Sequence, residues 1–237
     1  VAVGEGLERV EAATGLRFGD STAPLLVSVR SGASASMPGM LDSVLNVGLD
    51  RSTLDGLAQR GGRRFALDAY RRLLQMFGDV VLSVPRDVFE KLLAGAKTRL
   101  GRPAMLDSEL DAEALEALTT AFEAHLTHAS PALFPCSPQR QLELAITSVY
   151  RSWNNPRAQR YRGLQGIPDE LGTACVVQAM VFGNHGPRSG AGVAFTRNPS
   201  TGERQLYGEF LAQAQGEDVV AGARTPSSLG AKSAIPG

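Results

Sequence analysis

The sequence predicts an α+β fold in which a long helical stretch is inserted between two sheet-forming parts. Three observations predict it. Leu25 to Val29 (LLVSV) is apolar and β-branched, with no helix period. Between residues 50 and 135 apolar side chains recur at helical spacing almost throughout. From Leu171 onward, short strand-like runs alternate with Gly- and Pro-rich turns, with no long helix between them.

Each element follows in order. Leu7, Val10 and Ala13 place a helix over residues 4–16, ending near Gly15. Phe18, Gly19, Asp20 and Pro24 form a loop into the first strand. Arg30 ends that strand, and the small residues Ser31, Gly32, Ala33, Ser34, Ala35 and Ser36 follow. Met37-Pro38-Gly39-Met40 closes the loop before an apolar segment from Leu41 to Leu49. Phe65, Ala69, Leu73, Phe77 and Val80 mark an amphipathic helix. Pro85 opens the next, with Val88, Phe89, Leu92 and Leu93, and Asp111 caps a third carrying Leu115, Leu118, Phe122 and Leu126. Ser137-Pro138 starts a helix lined by Leu142, Ala145, Ile146, Val149 and Trp153; Asn154-Asn155-Pro156 stops it before a short basic helix. Strands over Thr173–Phe182, Gly192–Thr196 and Gln205–Leu211, joined by turns, predict one antiparallel sheet. The resulting parts are residues 1–49, 50–135 and 136–237.

Twenty-four basic and 24 acidic residues leave no net charge, which argues against a nucleic-acid surface as the main business. No run of 18 apolar residues exists, so no membrane span is expected, and the N-terminal stretch lacks the basic-then-apolar pattern of a signal peptide. Cys136 and Cys175 lie outside any CxxC pattern and read as free thiols of a reducing, cytoplasmic compartment. His125, His128 and His185 have no metal-ligand company.

By residue type, the stretch after Leu25 is either a plain turn or a phosphate cradle. Small residues let backbone N–H groups approach oxygens, and Arg30 supplies a two-pronged cation. Arg71 and Arg72 read, by pattern alone, as a solvated helix face. Val177-Gln178-Ala179-Met180-Val181 is a core strand or one wall of an apolar slot with an amide for hydrogen bonding. Gly190 and Gly192 form a G-x-G that, alone, marks a turn. Glu217 and Asp218 have the chemistry to hold Mg²⁺ or to position arginines near a triphosphate.

The wording of these segments goes further. VSVRSGA, SMPGMLDSVLNVGL, RSWNNPRA, VQAMVFGN, AFTRNPSTGE and AQGEDVVAG together resemble the pyruvate, phosphate dikinase family, whose nucleotide site lies in an ATP-grasp domain. The resemblance implies an ATP-grasp-type nucleotide-binding domain with an inserted helical subdomain. It implies that Arg30 contacts the ATP phosphates, and that Ser31, Gly32, Ser36, Met37, Pro38, Gly39 and Met40 form the loop over the triphosphate. Arg72, second in the YRR motif, becomes a γ-phosphate arginine; Arg30 and Arg72 are the expected catalytic pair. Gln178, Met180 and Val181 fall to the adenine strand, and Gly190, Gly192, Thr196 and Arg197 to a second glycine loop. Glu217 and Asp218 line the cleft.

The same resemblance implies ATP and Mg²⁺ as cofactors, with pyruvate and phosphate as partners of an intact homo-oligomeric enzyme. That enzyme passes the β-phosphoryl of ATP to a histidine and then to pyruvate. The family's upstream Gly-Lys segment and downstream Gln-x-Arg strand are not in the sequence, so a domain incomplete at both ends is expected, with metal ligands outside it. A phosphoenolpyruvate synthase-like dikinase that uses water as acceptor, or a non-catalytic nucleotide-binding remnant, is the alternative.

Overall fold

Helix α1 (Ala2–Thr14) ends where Gly15, at φ 69°, turns the backbone out of the helix. Glu11 Oε1 then accepts the Phe18 amide at 2.7 Å. This ties the helix to β1 (Arg17–Phe18), which pairs in parallel with β2 (Pro24–Leu25). The computed structural model describes residues 2–220 and 225–229, so only Ser227 to Leu229 of the closing SSLGAKSAIPG stretch are among the described residues. Contacts divide the chain into two units, Val1–Met180 and Val181–Gly237.

The sheet of the first unit has the order β4-β3-β5, antiparallel throughout, with β3 (Val27–Gly32) between β4 (Ser43–Val47) and β5 (Ala174–Ala179). Val27 and Val29 are fully buried on one face of β3, while Arg30 on the other is exposed. The helices α2 (Leu54–Gly61), α3 (Arg63–Val80), α4 (Arg86–Arg99) and α5 (Ala112–Ala129) follow as the spacing predicts. The α3 stripe Phe65, Ala69, Leu73 and Phe77 is buried, with Val80 half-buried at its end. Asp111 caps α5, its carboxylate accepting the Ala114 amide at 2.8 Å. Ser137 caps α6 (Pro138–Ser152) through the Arg140 amide at 3.3 Å. Asn155 and Pro156 then open α7 (Pro156–Gln165), which stops at the left-handed Gly166.

The late strands do not make one sheet, which corrects the expectation from sequence. β5 pairs with β3 over six residues, from Val27↔Ala179 to Gly32↔Ala174, and the Met180 amide extends the ladder to Leu26 O at 2.9 Å. The free edge of a half-buried central strand must find a partner, and β5 covers it. In the second unit β6 (Gly190–Phe195), β7 (Tyr207–Ala212) and β8 (Ser227–Ser228) form their own antiparallel sheet, with the short helix α8 (Gly216–Val220) packed on it. Cys136 and Cys175 are both free thiols, as expected.

Gly78 shows how tightly the helices pack. A Cβ there would lie 2.3 Å from the Phe89 ring and 2.8 Å from a Leu126 methyl. Phe89 is fully buried and meets Phe122 edge-to-face, centroids 5.0 Å apart. Helix propensity favours alanine by up to about 1 kcal/mol, but overpacking costs roughly 1–3 kcal/mol. Gly78→Ala is therefore expected to lower the melting temperature; an unchanged or higher value would show that the α4–α5 side can yield.

Candidate functional site

Register places the first candidates. Arg30 sits opposite Val176 on β5 and Ser43 on β4, and Ser28 opposite Gln178. Arg30, Val176 and Gln178 therefore share the face of the sheet turned away from Val27 and Val29, and all three are exposed. Among the described residues Arg30 has no hydrogen-bond or ion-pair partner, so its guanidinium is not held in a surface ion pair. β5 alternates exposed and half-buried residues instead of filling a core, which leaves Gln178 open on that face. Met180 is half-buried at the strand's end.

The small-residue loop is held far more firmly than its composition suggests. Ser31 and Gly32 still belong to β3, and the Gly32 amide donates to Thr173 Oγ1 at 3.3 Å. Beyond them the Met37 side chain is buried against Trp153 and Ala158, with Ala33, Met40 and Leu41 packed around it. Met37 and Met40 thus act as apolar anchors through their side chains. Ser36, Pro38 and Gly39 stay exposed, Gly39 at φ 71°. Among the described residues the amides of Ser34, Ala35, Ser36 and Gly39 donate to no protein acceptor. Open amides on a pinned loop are what an anion requires.

Arg71 and Arg72 are not a solvated face. Both lie on α3 against the buried carboxylate of Asp68: Arg71 Nη2 donates to Oδ1 at 3.0 Å and Arg72 Nε to Oδ2 at 3.1 Å. Arg71 is 3% exposed and also donates to Gln75 Oε1 at 3.2 Å. Burial opposes ionisation of Asp68, but Arg72 and Arg71 outweigh it and hold the carboxyl at about 2. Sequence reasoning missed Asp68, although D-x-x-R-R puts both arginines one turn along the same helix face.

The other candidates lie in the second unit or open it. Val181, its first residue, is 91% exposed. Gly190 and Gly192 are strand residues of β6, where a Cβ would meet the carbonyls of Leu211 at 2.8 Å and Glu209 at 2.6 Å, so close strand approach is one reason for glycine here. Thr196 and Arg197 begin the exposed β6–β7 connection. Asn198 Oδ1 accepts the Ser200 amide at 2.9 Å and Arg197 Nη1 donates to Gly202 O at 3.2 Å, which orders that turn. Glu217 and Asp218 open α8, and an Asp218 carboxylate oxygen accepts the Gln215 amide at 2.9 Å. No group of three or more His, Cys, Asp or Glu that could hold a metal ion forms among the described residues. Among them, too, no helix is long and apolar enough to cross a membrane.

Residues 2–233 match the family described as pyruvate phosphate dikinase, AMP/ATP-binding domain. The chain is 54% identical over 230 residues to a pyruvate, phosphate dikinase of Giardia intestinalis and 54% identical over 228 residues to one of Rhizobium meliloti (strain 1021). It is 50% identical over 228 residues to a chloroplastic pyruvate, phosphate dikinase of Flaveria trinervia. Each match covers 96% of this chain but only 26%, 25% and 24% of those proteins, so the chain spans about a quarter of their length.

The Asp68 cluster has a pH signature. Its folded value of about 2 lies below the ordinary 3.8, so its stabilisation is full above about pH 5 and is lost as pH falls from 4 towards 2. The shift is worth roughly 2 kcal/mol at neutral pH. Asp68→Asn leaves the buried Arg71 with only the longer, 3.9 Å contact to the Asp107 carboxylate and is expected to cost about 3 kcal/mol at pH 7. In thermal melts the gap between the unaltered chain and the variant should narrow from pH 5 to pH 2; a pH-independent gap would contradict the assignment.

Proposed function

Because the chain belongs to the pyruvate phosphate dikinase AMP/ATP-binding domain family, we propose that it is the ATP-binding portion of a pyruvate, phosphate dikinase. In this reading the intact enzyme converts ATP, pyruvate and phosphate to AMP, phosphoenolpyruvate and diphosphate, through a phosphohistidine outside this chain. The observation that carries it is Arg30, an exposed guanidinium two residues before the end of a strand whose opposite face is core, close to a pinned loop with open amides. Phosphoryl transfer needs mainly positioning and charge neutralisation, and these groups offer both.

Arg30 takes the phosphates, with Ser31, Gly32 and the loop from Ser36 to Met40 beside it. Gln178, Met180 and Val181 serve the adenine, and Gly190, Gly192, Thr196 and Arg197 a second phosphate loop. Arg72, aimed by Asp68, meets the γ-phosphate, where developing charge is greatest. Glu217 and Asp218 stand by as polar lining. Mg²⁺ accompanies the nucleotide as its counterion, with protein ligands outside the described residues. An ATP-grasp architecture, a homo-oligomeric whole enzyme and a cytoplasmic setting complete the reading; the two free thiols support the last. The relatives' names favour phosphate over water as the second acceptor.

Calorimetric titration of the chain with a non-hydrolysable ATP analogue and Mg²⁺ tests this. Saturable binding is expected, weakened about tenfold to a hundredfold by Arg30→Ala, since a charged hydrogen bond contributes roughly 1.5–3 kcal/mol. Helical circular dichroism should not change. Equal affinity in the two proteins would remove Arg30 from the phosphate site.

A further inference from the structure

The loop after β3 is fastened by residues that none of the roles above uses. Arg157, at the start of α7, donates from Nε to Met40 O at 3.1 Å and from Nη2 to the Asp42 carboxylate. Asn155 stands at the N-cap of α7, yet its side chain does not cap the helix; Nδ2 donates to Asp42 Oδ2 at 3.0 Å instead. The Asp42 amide donates to Ser152 Oγ at 3.1 Å. Three residues of the α6–α7 corner thus converge on Asp42.

Beneath them lies a second layer. Trp153 receives Met37, and the Arg162 guanidinium stacks over its ring at 4.2 Å while donating to the Trp153 carbonyl. Arg162 Nε and Trp153 Nε1 both bond Asp169, at its carboxylate (2.7 Å) and its carbonyl (2.9 Å). Arg162 is 1% exposed, so this layer is part of the core. The Arg157 side chain is 54% exposed, and an exposed ion pair contributes little to global stability. Its geometry is nevertheless specific: one guanidinium spans the carbonyl before, and the carboxylate after, Leu41.

We infer that Arg157 is a positioning residue for the nucleotide: through Met40 and Asp42 it holds the 33–41 loop in its binding-competent shape. The inference rests on the ATP-binding reading. A loop of small residues samples many conformations when released, and apparent affinity falls in proportion to the fraction that remains competent. A drop in that fraction to about one tenth weakens binding about tenfold.

The test combines two measurements on the whole chain with Arg157→Ala, Asp42→Asn and the double variant. Hydrogen exchange without nucleotide should speed up about tenfold in each variant at the two amides that hold the loop, Met40 (to Met37 O, 3.1 Å) and Asp42 (to Ser152 Oγ, 3.1 Å), with β3 and α3 unchanged. Affinity for the Mg²⁺ complex of a non-hydrolysable ATP analogue should fall about tenfold, and the double variant should bind no worse than either single one, because both changes open the same contact. Arg157→Lys keeps the charge but cannot span both acceptors, so it should recover only part of the loss. Unchanged exchange in the loop, faster exchange everywhere, unchanged affinity, or additive losses would each overturn the inference. Failure of the ATP reading is distinguishable, because it appears in the unaltered chain as absence of binding; it removes this inference with it.

Discussion

A strand paired on both edges can change register only by breaking two ladders, and in β3 a slip of one residue would turn Arg30 into the space that Val27 and Val29 fill. Burying an unpaired guanidinium there costs several kcal/mol, far more than any rearrangement of the loop could return. The position of Arg30 is thus set by Val29 and Val27, one and three places before it on the opposite face, not by anything at the site itself. Gln178 inherits its place from the same register through the six-residue ladder to β5. Whatever the exposed face binds meets groups whose orientation was decided by the core on the other side.

A second kind of constraint operates on the loop and on α3. Both sites pair a charged group intended for solvent or ligand with a carboxylate that fixes its direction: Asp42 with Arg157, Asp68 with Arg72. The two differ in depth. Asp68 is buried and its removal takes away the nearest counter-charge of the buried Arg71, whereas Asp42 and Arg157 lie nearer water and act mostly through geometry. Stability and positioning are therefore separable at the loop and entangled on α3.

What the sequence made legible was local. The stripe from Phe65 to Phe77 and the caps Asp111 and Ser137 depend on neighbours a turn away, so spacing alone revealed them. The partner of β5 was hidden, because Ser28 and Gln178 lie 150 residues apart and nothing in a strand's residues names the edge it will join. The RSWNNPRA segment looked like a helix end followed by a basic stretch; its fastening of Met40 and Asp42 spans more than a hundred residues. Asp68 is different: its two arginines are within four residues on one helix, and the spacing could have revealed it. Resemblance supplied residue roles that periodicity could not, since Arg30 and Arg72 belong to no pattern of their own.

Trp153 is the only tryptophan in the chain, and it lies between the buried Met37 of the loop and the Arg162 guanidinium. A single indole chromophore therefore lies directly under the loop. Its emission depends on whether a thioether or water covers one side of the ring, so any loss of the Met37 contact would be written directly into the ultraviolet spectrum. No label, and no second tryptophan to subtract, stands between that signal and the time course of the loop.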